Sequence, residues 1–303
     1  MKNHGTDGDW DVITGHADDP YQPRVEAVYE DDPATWRAVI GEELWFQFGL
    51  YDDAPSSPRT LDEAGERYFD RQLDLAGLPP RAPLGRILDV GFGWGTTLLH
   101  MARRYPDCPR IDGVNISGPQ TRYTADRLAR AGIADRVRLY RCNAKDIELI
   151  PDHDPPYDLV VLRGSIGHLT PATLEAATKA ISVRTADHAP VVISETLFTI
   201  PLDAYRSAIP DEVDRLACGN RKTLAYLMDV LERNSFAVRD LQQLPSAREA
   251  VRWLAAVRGR IERHVAAPAP RPFEELRDVA DNLSAALRAG TASVYSVIAR
   301  RLP

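Results

Sequence analysis

The chain has 303 residues, 44% of them apolar and 27% charged, which suits one large or two modest cores and excludes a largely disordered protein. A formal charge of −7 offers no basic face to a nucleic acid or an anionic membrane, so the expected partner is a small-molecule substrate, with no nucleic acid and no membrane. Residues 1–23 are polar and acidic, and no later run approaches the roughly 18 apolar residues of a membrane span, so a cytoplasmic protein is expected.

The run from Thr35 to Tyr51, TWRAVIGEELWFQFGLY, follows a polar, Pro-containing stretch and reads as an N-terminal helix leading into an aromatic turn. A second helix follows, with Ser57 or Thr60 as its N-cap, apolar residues at helical spacing from Leu61 to Leu75, and Gly77 as its stop. From residue 86 the pattern alternates. Strands are expected at 86–90, 110–116, 137–142, 157–164 and 189–198, with helices at 95–105, 118–132 and 171–184 between them. Short buried strands joined by crossover helices give an α/β, Rossmann-like doubly wound sheet, whose ligands sit beyond the carboxyl ends of the strands. After Phe198 the spacing turns helical at 203–218 and 221–233. A strand at 236–244, helices at 246–265 and 273–289, and a last strand at 293–301 complete seven strands, the final two pairing antiparallel. The division expected is an N-terminal helical lid over 1–80, a core over 81–200, and a helical cap plus closing strands over 201–303.

The turn after the first of these strands reads LDVGFGWGTT, with glycines at Gly91, Gly93 and Gly95 and an acid at Asp89. A dinucleotide fingerprint needs its third glycine one place later, so a nicotinamide is a poor match. Glycines at this spacing let the turn adopt backbone conformations closed to other residues and bring the main chain close to a ligand. Cys108, Cys142 and Cys218 are isolated thiols without Cys-x-x-Cys spacing, which speaks for core or incidental residues and against a disulfide framework or a bound metal.

Taken in order, LDVGFGWGTT, the strand end GVNIS and the loop CNAKDI resemble the class I S-adenosylmethionine-dependent methyltransferases, closest to the small-molecule group of cyclopropane fatty acid synthases, sterol C-methyltransferases and natural-product methyltransferases. The resemblance covers about residues 45–200. It implies S-adenosyl-L-methionine as cofactor, with Gly91 and Gly93 against its methionine part and Asp89 ordering the loop. By the same resemblance, Asn115, Ile116 and Gln120 belong to the ribose side, Asn143 and Ala144 to the adenine loop, Arg163 to the backbone near the methyl group, and Gln47 to the amino-acid end. Asn115 and Asn143 stand where many relatives carry an acid. Exchanging a charged for a neutral hydrogen bond costs about 1 kcal/mol, which cofactor binding survives.

A sulfonium is an activated methyl donor, so catalysis needs placement of the acceptor and, for oxygen or nitrogen, removal of a proton. The resemblance sets His168, in SIGHL, beside the acceptor pocket, where an imidazole that titrates near neutrality is suited to take a proton or to orient the acceptor. Glu195, in ISETLF at the end of the fifth strand, is the second catalytic candidate, as a base or for carbocation stabilisation. Cyclopropane synthases place Glu immediately before the equivalent histidine, and Gly167 stands here instead, which argues against lipid cyclopropanation. Trp36, Trp45, Phe46, Phe48, Tyr51, Tyr205, Tyr226 and Trp253 are available to line an apolar pocket. The function expected is methyl transfer to a small, partly hydrophobic metabolite in specialised metabolism, with C-, O- and N-methylation open. A methyltransferase-fold cyclase without net transfer and a non-catalytic cofactor-binding protein are the rivals, and a homo-oligomer is left open.

Overall fold

The computed structural model describes residues 4–6, 10–15, 18–51, 60–207 and 214–303. Among them, nine strands form a single sheet in the order β1-β2-β5-β4-β3-β6-β7-β9-β8. The five expected central strands are β3 (Arg86–Val90), β4 (Arg110–Asn115), β5 (Val137–Cys142), β6 (Leu159–Arg163) and β7 (Pro190–Phe198), all parallel. β8 (Phe236–Gln243) and β9 (Ala292–Arg301) pair antiparallel, and β9 also runs antiparallel to β7. The expected seven strands therefore become nine. The additional ones, β1 (His4–Thr6) and β2 (Asp11–Ile13), have three residues each and join the outer edge of β5. Three residues carry no detectable alternation, and pairing with an existing edge supplies what their own sequence does not.

Buried strands with side chains alternating between two faces require a helical layer on each. Ile87, Leu159 and Val161 face α3 (Leu61–Leu75), α4 (Thr96–Arg104) and α5 (Gly118–Ala131). Leu88, Val160 and Leu162 face α6 (Pro171–Arg184) and α7 (Leu224–Arg233). A third core joins α1 (Gln22–Val28) and α2 (Pro33–Ile40) to α8 (Ala247–His264) and α9 (Arg271–Ala289), and forms a helical layer above the carboxyl ends of the strands. Thr60 does cap α3, in a capping box with Glu63, whereas Ser57 lies outside the described residues. β3 is flanked by β4 on one side and β6 on the other, which makes its carboxyl end the point where the strand order reverses and a crevice opens.

The helix expected over 203–218 is not found among the described residues of that stretch. Residues 202–204 form a turn, and Arg215–Ala217 is a short 3-10 turn in which Leu216 and Ala217 adopt φ of 51° and 52°. Glu275 of α9 accepts the Leu216 N–H at 2.6 Å and holds this left-handed backbone, so a tertiary contact overrides the helical spacing. No described helix is long and apolar enough to cross a membrane.

Candidate active site

A cleft enclosing about 1120 Å³, counting the solvent at its mouth, lies at the carboxyl ends of β3 to β6. All ten residues expected to meet the cofactor line it: Gln47, Asp89, Gly91, Gly93, Asn115, Ile116, Gln120, Asn143, Ala144 and Arg163. Gly93 has φ of 55°, and a side chain there would meet nothing nearer than the Gln120 amide at 3.9 Å, because the residue opens onto the cleft. Gly91, with φ of 80°, is bare for a different reason: a Cβ would stand 2.7 Å from that of Ser165.

Asp89 is buried, and the Thr97 hydroxyl donates to it, tying the end of β3 to the first turn of α4 across the glycine turn. Burial pushes its pKa up to about 7, against the opposing pull of Thr97 and the Arg163 charge. Asn115 donates to Gln120 Oε1 at 2.9 Å and to the Gly93 carbonyl at 3.3 Å, so these two amides form one unit along the cleft wall. Ile116 gives its carbonyl to the Arg141 guanidinium at 3.1 Å. Asn143 caps the turn Ala144–Leu149 through Lys145 N–H and donates its own NH₂ to Gln22 at 2.9 Å and Asp19 at 3.2 Å. Asp19 and Gln22, with Tyr29, reach the cleft from the N-terminal segment and were not foreseen. They sit in a polar stretch whose only helical signal is the seven residues of α1.

A second chamber of about 1540 Å³ adjoins the first. Phe46, Phe48, Tyr205 and Trp253, four of the aromatics expected in a pocket, line it together with Tyr29 and Phe198. Trp36 is fully buried in the cap core, Trp45 lines the first cleft, Tyr51 lies under the Arg252 guanidinium, and Tyr226 bonds Glu175. Cys218, expected as a core or incidental residue, is exposed and faces this chamber. The two chambers share Tyr29, Phe46, Gln47, Gly164 and His168. Gln47 lies flat against Gly164, its amide nitrogen 1.8 Å from where a Cβ would be.

His168 faces both chambers. Its Nδ1 is 3.0 Å from the Ala217 carbonyl, which only accepts, so the ring proton sits on Nδ1 and Nε2 accepts the Tyr29 O–H at 3.2 Å. Burial lowers the pKa of this imidazole and keeps it neutral. Glu195 lines the second chamber, but its carboxylate accepts the main-chain N–H groups of Ile166 at 2.9 Å, Gly167 at 3.2 Å and Thr196 at 2.9 Å. Lys222, lowered to about 8 by burial, donates to the carbonyls of Ile166, Leu169 and Asn220. The turn that carries His168 is thus gripped from both sides.

Among known proteins, residues 87–186 match the family model described as a methyltransferase domain. The tuberculostearic acid methyltransferase of Mycobacterium tuberculosis is 27% identical over 48% of this chain and 32% of its own length. The 27-O-demethylrifamycin SV methyltransferase of Amycolatopsis mediterranei is 31% identical over 44% of this chain and 46% of its own. The chain therefore spans less than half the length of these curated relatives. Two solved structures share the fold over nearly the whole chain: the cyclopropane synthase MmaA2 from Mycobacterium tuberculosis, with a TM-score of 0.76, 16% identity and coverage of 93% and 99%, and the 4+2 cyclase SpnF, with 0.72, 19%, 95% and 99%. The sheet order and the solved structures give the chain the fold of the class I methyltransferases, a class whose cofactor is S-adenosylmethionine, and residues 87–186 match a methyltransferase-domain model.

Proposed function

We propose that the protein is a cytoplasmic S-adenosylmethionine-dependent methyltransferase of specialised metabolism, acting on a small, partly hydrophobic acceptor. The observation that carries this reading is the wall common to both chambers: a polar cleft at the sheet's reversal point and a larger aromatic chamber meet at Gln47, Gly164, Tyr29, Phe46 and His168. The names of the curated relatives, methyltransferases of a rifamycin and of tuberculostearic acid, support a small-molecule acceptor. In this reading residues 1–80 serve as lid, 81–200 as cofactor core and 201–303 as cap.

The cleft fits the cofactor in its polar atoms. Gln47 Oε1, Arg163 Nη2 and Ser165 Oγ are buried there without partners, and a zwitterionic ligand would answer them. Asp89, Gly91 and Gly93 would hold the methionine part, and Asn115 and Gln120, beside the apolar Ile116, would hold the ribose. Asn143 Oδ1 accepts Lys145 N–H and keeps a second lone pair, so it and the Asp19 carboxylate are the acceptors available to the adenine end beside Ala144. When bound, the cofactor supplies a methyl group already activated on a sulfonium.

What remains for the chain is to hold the acceptor and take its proton. Tyr29 touches the acceptor and His168 stands behind it: as the acceptor's proton moves to the tyrosine oxygen, the tyrosine's own proton moves to His168 Nε2. This arrangement favours an oxygen or nitrogen acceptor. Glu195 acts as a positioning residue, since its carboxylate secures the turn below His168. The test is mass spectrometry of products after incubation with isotopically labelled cofactor and small hydroxylated or aminated acceptors. A gain of one labelled methyl supports the proposal. A product equal in mass to its substrate would assign the cyclase reading that the likeness to the 4+2 cyclase favours, and a protein that binds no cofactor would refute both.

A further inference from the structure

We infer that Asp214, in the wall of the second chamber, recognises a hydroxyl or ammonium group of the acceptor other than the one that is methylated, so that the protein selects acceptors carrying two hydrogen-bond donors. This rests on the methyltransferase reading and narrows the acceptor class within it.

Asp214 lines the second chamber and takes no part in the cofactor cleft. Its Oδ2 accepts the hydroxyl of Tyr21, whose pKa is raised by burial and by Asp214 itself, so that the phenol keeps its proton and donates. Oδ1 is buried among the described residues with no partner. It rests against the bare α-carbon of Gly219, where a Cβ would stand 2.7 Å from it. The side chain as a whole is 30% exposed, and a small rotation about Cβ–Cγ carries the open oxygen toward the chamber. A carboxylate offers about four lone-pair sites, and the Tyr21 bond uses one.

Arg24 does not close the remaining valence. Its Nη2 donates to Glu275 at 2.7 Å and to the main-chain carbonyl of Asp214, while its Nε stands 3.9 Å from Oδ2, beyond hydrogen-bond reach. Two other charges in the wall are engaged by main chain: Glu195 accepts three N–H groups, and Lys222 donates to three carbonyls. The charge of Asp214 is felt at Cys218 and at His168, which places the carboxylate on the side of the chamber where methylation is proposed. Yet the Tyr29 hydroxyl pairs with His168 Nε2, and Nδ1 with the Ala217 carbonyl, so Asp214 serves a separate group of the guest. An acceptor oxygen left unanswered in a partly apolar wall is costly, and a donor on the guest, above all a charged one, offsets that cost.

The test uses three phenols that differ only at the end of an ethyl tail: p-ethylphenol, tyrosol with a hydroxyl there, and tyramine with an ammonium. Their affinities are measured by calorimetry on protein loaded with S-adenosylhomocysteine. Wild type is expected to prefer tyrosol, tyramine or both over p-ethylphenol by roughly 10- to 100-fold, and the preferred one identifies the group as hydroxyl or ammonium. Asp214→Asn should abolish that preference while holding p-ethylphenol within about twofold. Equal binding of the three by wild type, binding of none, or an undiminished preference in the variant would overturn the inference, and so would equal weakening of all three, which marks a merely structural role. Should Asp214→Asn fail to fold, Tyr21→Phe decides, because it frees Oδ2 of its present donor: a preference kept or widened supports the assignment, and one that disappears sinks it. A protein that does not bind S-adenosylhomocysteine refutes the methyltransferase reading itself, whereas one that binds it and treats the phenols alike refutes only this assignment.

Discussion

Asp89 shows how much one buried side chain can couple. Its pKa is raised to about 7, so its neutral form stabilises the fold fully below about pH 4, and that contribution is lost as pH rises through 7. A net positive ligand in the same cleft favours the carboxylate, so cofactor binding should release a fraction of a proton near pH 6 and tighten as pH rises from about 5 to about 7. Calorimetry in two buffers of different ionisation enthalpy measures this directly, and the release should vanish in Asp89→Asn. At Gly93 the prediction is steric. Valine would need a left-handed backbone, at a cost of about 1–2 kcal/mol, and would fill the open side of the turn, so Gly93→Val should lose at least roughly 100-fold in cofactor affinity. These residues were legible because glycine spacing and an acid at a strand end carry their own signal. Asp19 and Tyr29 were not, because a polar residue in a Pro-containing stretch acquires meaning only when the chain folds back over a cleft.

At the scale of elements, the short turn Ile166–His168 matters most, and its supports come from distant parts of the chain. Glu195 on β7 accepts two of its N–H groups, Lys222 ahead of α7 donates to one of its carbonyls, and Ala217 fixes the tautomer of the histidine it presents. Glu195→Gln turns an NH₂ toward main-chain donors and should destabilise the protein by about 1–3 kcal/mol, read as a fall in Tm. Tyr29→Phe should leave cofactor affinity unchanged and slow turnover by roughly 10²- to 10⁴-fold, the usual worth of a positioned proton acceptor. Glu195, expected from its strand-end position as a base or a carbocation stabiliser, does line the second chamber. Only its three amide partners show that its lone pairs are engaged. The expected helix at 203–218 failed for a related reason: helical spacing is a local property, and Glu275 lies some sixty residues away.

For the whole molecule, the alternation of strand and helix made the central sheet readable, because β3, β6 and β7 are buried along almost their whole length and read as largely apolar runs. The edge strands β1 and β2 and the segment that carries α1 were not readable, since their placement depends on surfaces made by other elements. That segment covers the cofactor cleft through Asp19 and Gln22 and delivers Tyr29 to the second chamber. Cofactor binding should therefore slow amide hydrogen exchange across residues 22–28, and Asp19→Ala should weaken that protection.

The left-handed backbone at Leu216 and Ala217 has a consequence for how such a protein diversifies. Because the carbonyl that fixes the proton on His168 comes from residue 217 and not from the sheet, the proposed proton transfer implies that remodelling this segment for a new acceptor would also alter the acid–base chemistry. Side chains along α8 and α9 are free to drift with the shape of the guest, but the peptide unit at 217 and the Glu275 that holds its neighbour are not. On the proposed mechanism, substrate range and proton handling would be inherited together, through a single main-chain oxygen.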